Sequence, residues 1–135
     1  MQSRLIHTPE EMHQLGQELI KKYHIFLLEG DLWAGKTTFT KGLAEGLWIS
    51  PQKVQSPTYT YVNLYDGKLA HFDLYRLEHF DDLVEKGLLT ELEENEYIVI
   101  EWPKWTDQIS FPHFIRLQFT KLWENEREVS VIEIK

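Results

Sequence analysis

Gly30 and Gly35, followed directly by Lys36 and Thr37, set the frame GxxxxGK(S/T) inside the stretch GDLWAGKTT. The chemistry this spacing could do is phosphate binding. The first turn of a helix carries free N–H donors and the positive end of the helix dipole, so a triphosphate can be held there. Glycines suit the tight turns that let those donors approach. Lys36 can reach the β- and γ-phosphates, and the Thr37 hydroxyl can ligate Mg²⁺. A short pattern of this kind also arises by chance as a glycine turn before a core helix, so context decides. Here the apolar run HIFLLE precedes the loop and an apolar-striped segment follows it.

Trp33 stands in the middle of the frame. Only the framing glycines and the Lys-Thr pair are fixed, and the positions between them supply backbone N–H groups, which a tryptophan also has. A glycine there adopts φ > 0 at no cost and a bulky residue does not. The indole is therefore expected to point outward, towards solvent, a partner or the ribose side of a nucleotide. A stacking or partner contact and an exposed aromatic without a role are the two alternatives.

Phosphoryl chemistry also needs a second carboxylate, which completes the metal shell or orients water from a neighbouring strand end. Asp73 in HFDLYRL and Glu101 in IVIEW both end extended apolar segments. A solvated acid at a strand terminus is the plain reading of either one alone, whereas two of them beside a phosphate loop fit a metal and water site better. His7, His13, His24, His71, His79 and His113 show no ligand spacing such as HExxH and read as structural or surface residues. His71 stands out because it lies two positions from Asp73, on the same strand face.

The elements that must position these groups follow from periodicity. TPEEMHQLGQELIKKY opens with Thr8 and Pro9, carries Glu10 and Glu11 in its first turn, and spaces Met12, Leu15, Leu19 and Ile20 on one helical face. Residues 24–28 form a short buried parallel strand, and KTTFTKGLAEGL a helix with a Phe39, Leu43, Leu47 stripe. SPTYTYVNLYDGKLAHFDLYRL reads as two extended segments around a turn at Asp66 and Gly67. HFDDLVEKGLLTELEEN is helical with a break at Gly87, and YIVIEW is a central strand ending at Glu101. PHFIRLQFT and REVSVIEIK pair across the polar turn LWENE.

Composition bounds the rest. The 135 residues suffice for one domain, 1–135, and 42% hydrophobic with 13% aromatic residues lie in the globular range. Without cysteine, disulfides and thiolate metal sites are excluded. No run reaches the roughly 20 apolar residues of a membrane span, and the first residues lack the apolar core of a signal peptide, so a cytoplasmic, non-membrane protein is expected. A formal charge of −8 argues against this chain alone gripping nucleic acid, and any RNA involved would be held by a partner.

The order GDLWAGKTT, SPTYT, HFDLYRL, IEWP, spread over residues 30–103, resembles the bacterial TsaE family, the ATPase that assists formation of N6-threonylcarbamoyladenosine at position 37 of tRNAs reading codons that begin with A. The resemblance implies an α/β fold, a P-loop NTPase-like three-layer domain with a central, mostly parallel sheet and additional antiparallel strands. It implies ATP and Mg²⁺ as cofactors, weak partner-stimulated hydrolysis, and action with TsaD and TsaB, tRNA being reached only through these partners. Carried over by residue, it implies that Lys36 and the backbone amides of Leu32, Trp33, Ala34, Gly35, Thr37 and Thr38 hold phosphates, with Thr37 on the metal. Glu101 resembles the second Mg²⁺ ligand, direct or through water, with Trp102 the aromatic after it. Asp73 is similar to the acid needed for turnover. Thr58 corresponds to a switch-like segment sensing the γ-phosphate, Arg127 to an arginine near the nucleotide, and the helix start at Thr8 to the adenine side. Trp33 and Trp48 each replace a usual glycine. At Trp48 that glycine would cap the helix, a role expected to pass to Gly46.

Two other functions fit the motifs. One is a non-catalytic, nucleotide-dependent binding module in which ATP orders SPTYT. The other is a small-molecule kinase, against which the lack of an Arg-rich lid segment counts. The lack of an Asn-Lys-x-Asp segment points to ATP over GTP, and the lack of an evident arginine finger near the motifs points to slow turnover alone.

Overall fold

The structure is a computed structural model that describes residues 2–135. Seven strands, β1 (Ser3–Ile6), β2 (Ile25–Gly30), β3 (Val62–Tyr65), β4 (Leu69–Asp73), β5 (Tyr97–Glu101), β6 (Ile115–Trp123) and β7 (Glu126–Ile134), form one sheet in the order β1-β7-β6-β2-β5-β4-β3. The four middle strands β6, β2, β5 and β4 run parallel, β7 and β3 flank them antiparallel, and β1 pairs antiparallel with β7. This is the expected α/β architecture. β2, at the centre, is apolar on both faces because both are covered.

Alternation along the strands splits the core in two. Phe26 and Leu28 of β2, Leu69 of β4 and Val99 of β5 face helices α1 (Pro9–Leu19) and α2 (Lys36–Gly46), packing with Leu15, Phe39 and Leu43. Ile25, Leu27, Phe72, Ile98 and Ile100 face the other way, onto Leu83, Leu88 and Leu92 of α3 (Asp81–Glu85) and α4 (Leu88–Glu94). The result is three layers. Burying one such side chain, Phe39 for instance, contributes roughly 2–3 kcal/mol.

Thr8 caps α1 as its sequence suggests, its hydroxyl accepting from Glu11 N–H at 3.1 Å, with Pro9 in the first turn. α1 and α2 touch backbone to backbone: a Cβ on Gly42 would lie 2.3 Å from His13 O, and one on Gly16 2.6 Å from Phe39 O. Gly87, at φ 72°, separates α3 from α4 as expected.

One strand went unread in the sequence, and two expectations need correction. Ser3–Ile6 is an edge strand on β7, with only four residues, too short for a periodicity to register. Residues 56–61 are not extended: the strand of the first hairpin begins at Val62, after a turn closed by Tyr61 N–H to Pro57 O at 2.9 Å. Gly46 does not cap α2. It lies in the last turn, where a Cβ would meet Ile20 Cγ2 at 2.4 Å, and Trp48 itself takes the left-handed position at φ 63°.

Candidate functional site

Three strand and loop ends meet at one edge of the sheet. β2 ends at Gly30, β4 at Asp73 and β5 at Glu101, with Asp73 opposite Glu101 in the parallel register. Carboxyl ends of parallel strands are where open α/β sheets bind ligands. Asp73 and Glu101 point to the α2 side, and both are buried.

The loop leaving β2 turns into α2 through Gly35, whose φ of 108° only glycine adopts without strain, and whose added Cβ would meet Met12 Cε at 2.6 Å. The first bond of the α2 ladder is Phe39 N–H to Gly35 O at 2.9 Å. The amides of Gly35, Lys36, Thr37 and Thr38 therefore precede the ladder, as the free donors of a helix N-terminus. Lys36, only 5% exposed, donates from Nζ to Gly30 O at 2.5 Å, sits 4.4 Å from the Trp102 ring centroid, and lies 4.0 Å from Glu101 Oε1. Burial pulls its pKa down, against the raising effect of the Glu101, Asp73 and Asp31 carboxylates. Burial pushes the Asp73 pKa up; the Tyr75 N–H it accepts at 2.9 Å opposes this, and the Glu101 charge adds to it.

A cavity of about 600 Å³ opens over the loop. Of the residues predicted to serve a nucleotide, Thr8, Leu32, Trp33, Gly35, Lys36, Thr37, Thr38, Thr58, Glu101 and Arg127 all line it. Ala34 is packed beneath the loop, and Asp73 does not reach the cavity wall. Trp33 points outward, 81% exposed, at φ 68°. The Arg127 guanidinium is held by main-chain carbonyls: Nε donates to Trp33 O at 3.0 Å, and Nη1 to Trp123 O at 2.9 Å and Glu124 O at 3.1 Å. It thus clasps the loop to the β6–β7 turn. Trp33, Tyr61 and Trp102 all hold positive φ around this site, a conformation that costs an L-residue about 1–2 kcal/mol and that clusters at functional sites.

The donor set suits a triphosphate with Mg²⁺: helix-terminal amides, a buried ammonium, one hydroxyl on Thr37 and one carboxylate on Glu101. Mg²⁺ commonly takes only one or two protein ligands alongside phosphate and water. No group of three or more His, Asp or Glu side chains able to hold a metal by themselves exists among the described residues.

Sequence reasoning missed several residues of this site. Ser56 lines the cavity and shares a 3.0 Å hydrogen bond with Thr58, and Ile6, His7, Pro9, Met12, Glu124 and Asn125 complete the wall. Their only signal was proximity in sequence to Thr8, Thr58 and Arg127. His71 was singled out for its distance from Asp73, yet it bonds Glu101: Nε2 lies 2.5 Å from Oε2.

Comparison with known proteins agrees with this picture. The family model described as "Threonylcarbamoyl adenosine biosynthesis protein TsaE" matches residues 6–129. The tRNA threonylcarbamoyladenosine biosynthesis protein TsaE of Aquifex aeolicus is 36% identical over 136 residues, covering 94% of this chain and 92% of the relative. Its namesake in Bacillus subtilis is 36% identical, covering 91% and 80%. The crystal structure of YdiB from Bacillus subtilis superposes with a TM-score of 0.69 at 25% identity, over 96% of this chain and 82% of the other.

Proposed function

This chain belongs to the TsaE family of threonylcarbamoyl adenosine biosynthesis proteins, and from that premise we propose that it binds ATP with Mg²⁺ and hydrolyses it slowly as one component of that process. The observation that carries the reading is the convergence of the α2 N-terminus, Lys36 and Glu101 at the carboxyl ends of β2 and β5.

The amides of Gly35, Lys36, Thr37 and Thr38 would hold the phosphate oxygens. Lys36 would exchange its bond to Gly30 O for the outer phosphates, and their charge would oppose the effect of burial on its ammonium. Thr37 and Glu101 would hold the metal, which when bound neutralises developing phosphate charge. Asp73, raised in pKa by burial and set behind the cavity wall opposite Glu101, would orient or deprotonate a water held between the two carboxylates. Trp102, above the Lys36 ammonium, keeps bulk water from that side.

Partners are part of the proposal: TsaD-like and TsaB-like proteins would dock at the cavity lip, where Leu32 and Trp33 are exposed, and would raise turnover. The acidic chain would reach tRNA only through them, in the cytoplasm. No helix among the described residues is long and apolar enough to cross a membrane.

Calorimetric titration with ATP and Mg²⁺, alone and with the two partners, tests this. Roughly micromolar binding that tightens with partners is expected, along with free phosphate and no phosphorylated product. No binding in either condition rejects the reading. Glu101→Ala separates hydrolysis from binding: full biological activity without hydrolysis would instead support a nucleotide-dependent binding module.

A further inference from the structure

Below the site runs a chain of hydrogen bonds that the proposed chemistry does not use. His71 is 0% exposed, and both its ring nitrogens are engaged: Nε2 lies 2.5 Å from Glu101 Oε2, and Nδ1 lies 2.9 Å from the Tyr65 hydroxyl. That hydroxyl accepts Gln55 N–H at 3.1 Å and lies 2.9 Å from Gln55 O. The phenolic proton serves either Gln55 O or His71 Nδ1, one at a time. Gln55 O also accepts from Asn63 Nδ2 at 3.1 Å. Ser56 and Thr58, which face the cavity, follow Gln55 directly.

We propose that His71 is a positioning residue that holds the Glu101 carboxylate and, through Tyr65, couples it to the main chain of Gln55, so that residues 55–58 and the site acid shift together. The physical case rests on burial. An imidazole enclosed in apolar surroundings is stable only with its polar atoms paired, so its orientation is set jointly by Glu101 on one side and Tyr65 on the other. Moving Ser56 and Thr58 towards a ligand displaces Gln55, which strains both bonds to the Tyr65 hydroxyl, then the bond to Nδ1, then the carboxylate. An apolar side chain would fill the same space without this linkage. The effect on turnover rests on the role of Glu101 proposed above; the coupling itself does not.

The coupling is read first without nucleotide, by amide hydrogen exchange in the full chain at Gln55, whose N–H is donated to the Tyr65 hydroxyl. Glu101→Ala is expected to speed exchange there by roughly threefold or more, and to add nothing in a Tyr65→Phe background. Unchanged exchange, or effects of the two substitutions that simply add, would overturn the coupling. The second readout uses the two halves of the imidazole. Gln at position 71 can reproduce the Nε2 contact to Glu101, and Asn the Nδ1 contact to Tyr65. His71→Gln should keep kcat for ATP within about threefold of the parent, and His71→Asn should lose about tenfold, both with nucleotide Kd within about twofold. Equal losses that follow the melting temperature would mean a purely structural histidine and sink the positioning role. A parent chain that does not hydrolyse ATP would overturn the ATPase reading while the exchange experiment still decides the coupling.

Discussion

Helix α2 is entered through one left-handed tryptophan and left through another, and the two ends handle the strain differently. At the exit Trp48, at φ 63° and 91% exposed, is secured by the helix itself: Trp48 N–H bonds Glu45 O at 3.1 Å and Ile49 N–H bonds Ala44 O at 2.9 Å, the paired bonds of a Schellman cap. At the entry, among the described residues, the one main-chain bond inside the loop is Ala34 N–H to Asp31 O, at 3.3 Å, and the Trp33 carbonyl is taken by Arg127 from the β6–β7 turn. A loop whose amides must stay free for a ligand cannot use them to stabilise its own turn. A distant hairpin supplies that stability instead, whereas a cap with no ligand closes on itself.

The widest separation between the ends should come from their glycines. Gly35→Ala places a Cβ at φ 108°, 2.6 Å from Met12 Cε, and is expected to weaken ATP binding by about 100-fold or more in calorimetry. Gly46→Ala meets Ile20 Cγ2 at 2.4 Å and should cost about 1–3 kcal/mol of stability in a denaturant melt with affinity within about threefold. Comparable damage to binding from Gly46→Ala would erase the distinction.

Arg127→Ala should loosen only the entry, weakening ATP binding roughly tenfold and stability by about 1 kcal/mol. An unaltered melt and unaltered affinity would show that the clasp is idle.

The entry also carries a buried acid, and the exit does not. Because the folded-state pKa of Asp73 lies above its unfolded value, its ionised form destabilises the fold at neutral pH. Asp73→Asn should therefore raise the melting temperature by a few degrees at pH 7. That gain should shrink as pH falls through the raised folded value and be gone below the ordinary carboxylate value, while hydrolysis is lost throughout. A gain that grows towards acid pH would contradict the assignment.

The smallest effects come from the tryptophans. Trp33→Gly and Trp48→Gly each remove left-handed strain but add unfolded-state freedom, for a net gain of about 0.5–1 kcal/mol at either end. Calorimetry on Trp33→Gly then sharpens the comparison: affinity within about twofold of the parent means the indole makes no nucleotide contact.

Much of this was legible in the sequence. The α1 cap at Thr8, the strand and loop before Lys36, the helix break at Gly87 and the hairpin around Asp66 and Gly67 are local signals of periodicity, capping and turn chemistry. What was not legible depends on contacts between distant segments. That His71 bonds Glu101 follows from the parallel register that sets His71 opposite Val99 and Asp73 opposite Glu101, which no single segment encodes. Arg127 could be placed near the loop by likeness to relatives, but its hold on Trp33 O needs the β6–β7 turn beside the loop. Gly46 resembled a cap by position, while its true constraint is the neighbouring Ile20.

The order of strands has a further consequence, for self-association. Outermost strands expose unpaired backbone groups that invite another chain to add on. Here both outermost strands, β1 and β3, have only four residues, too few for a firm intermolecular ladder. β1 also shields residues 127–130 of the nine-residue β7, with Val131 N–H reaching Gln2 O at 2.7 Å. Removing β1 would uncover that length of β7 beside the exposed Ile132 and Ile134, so this short strand guards β7 against aggregation.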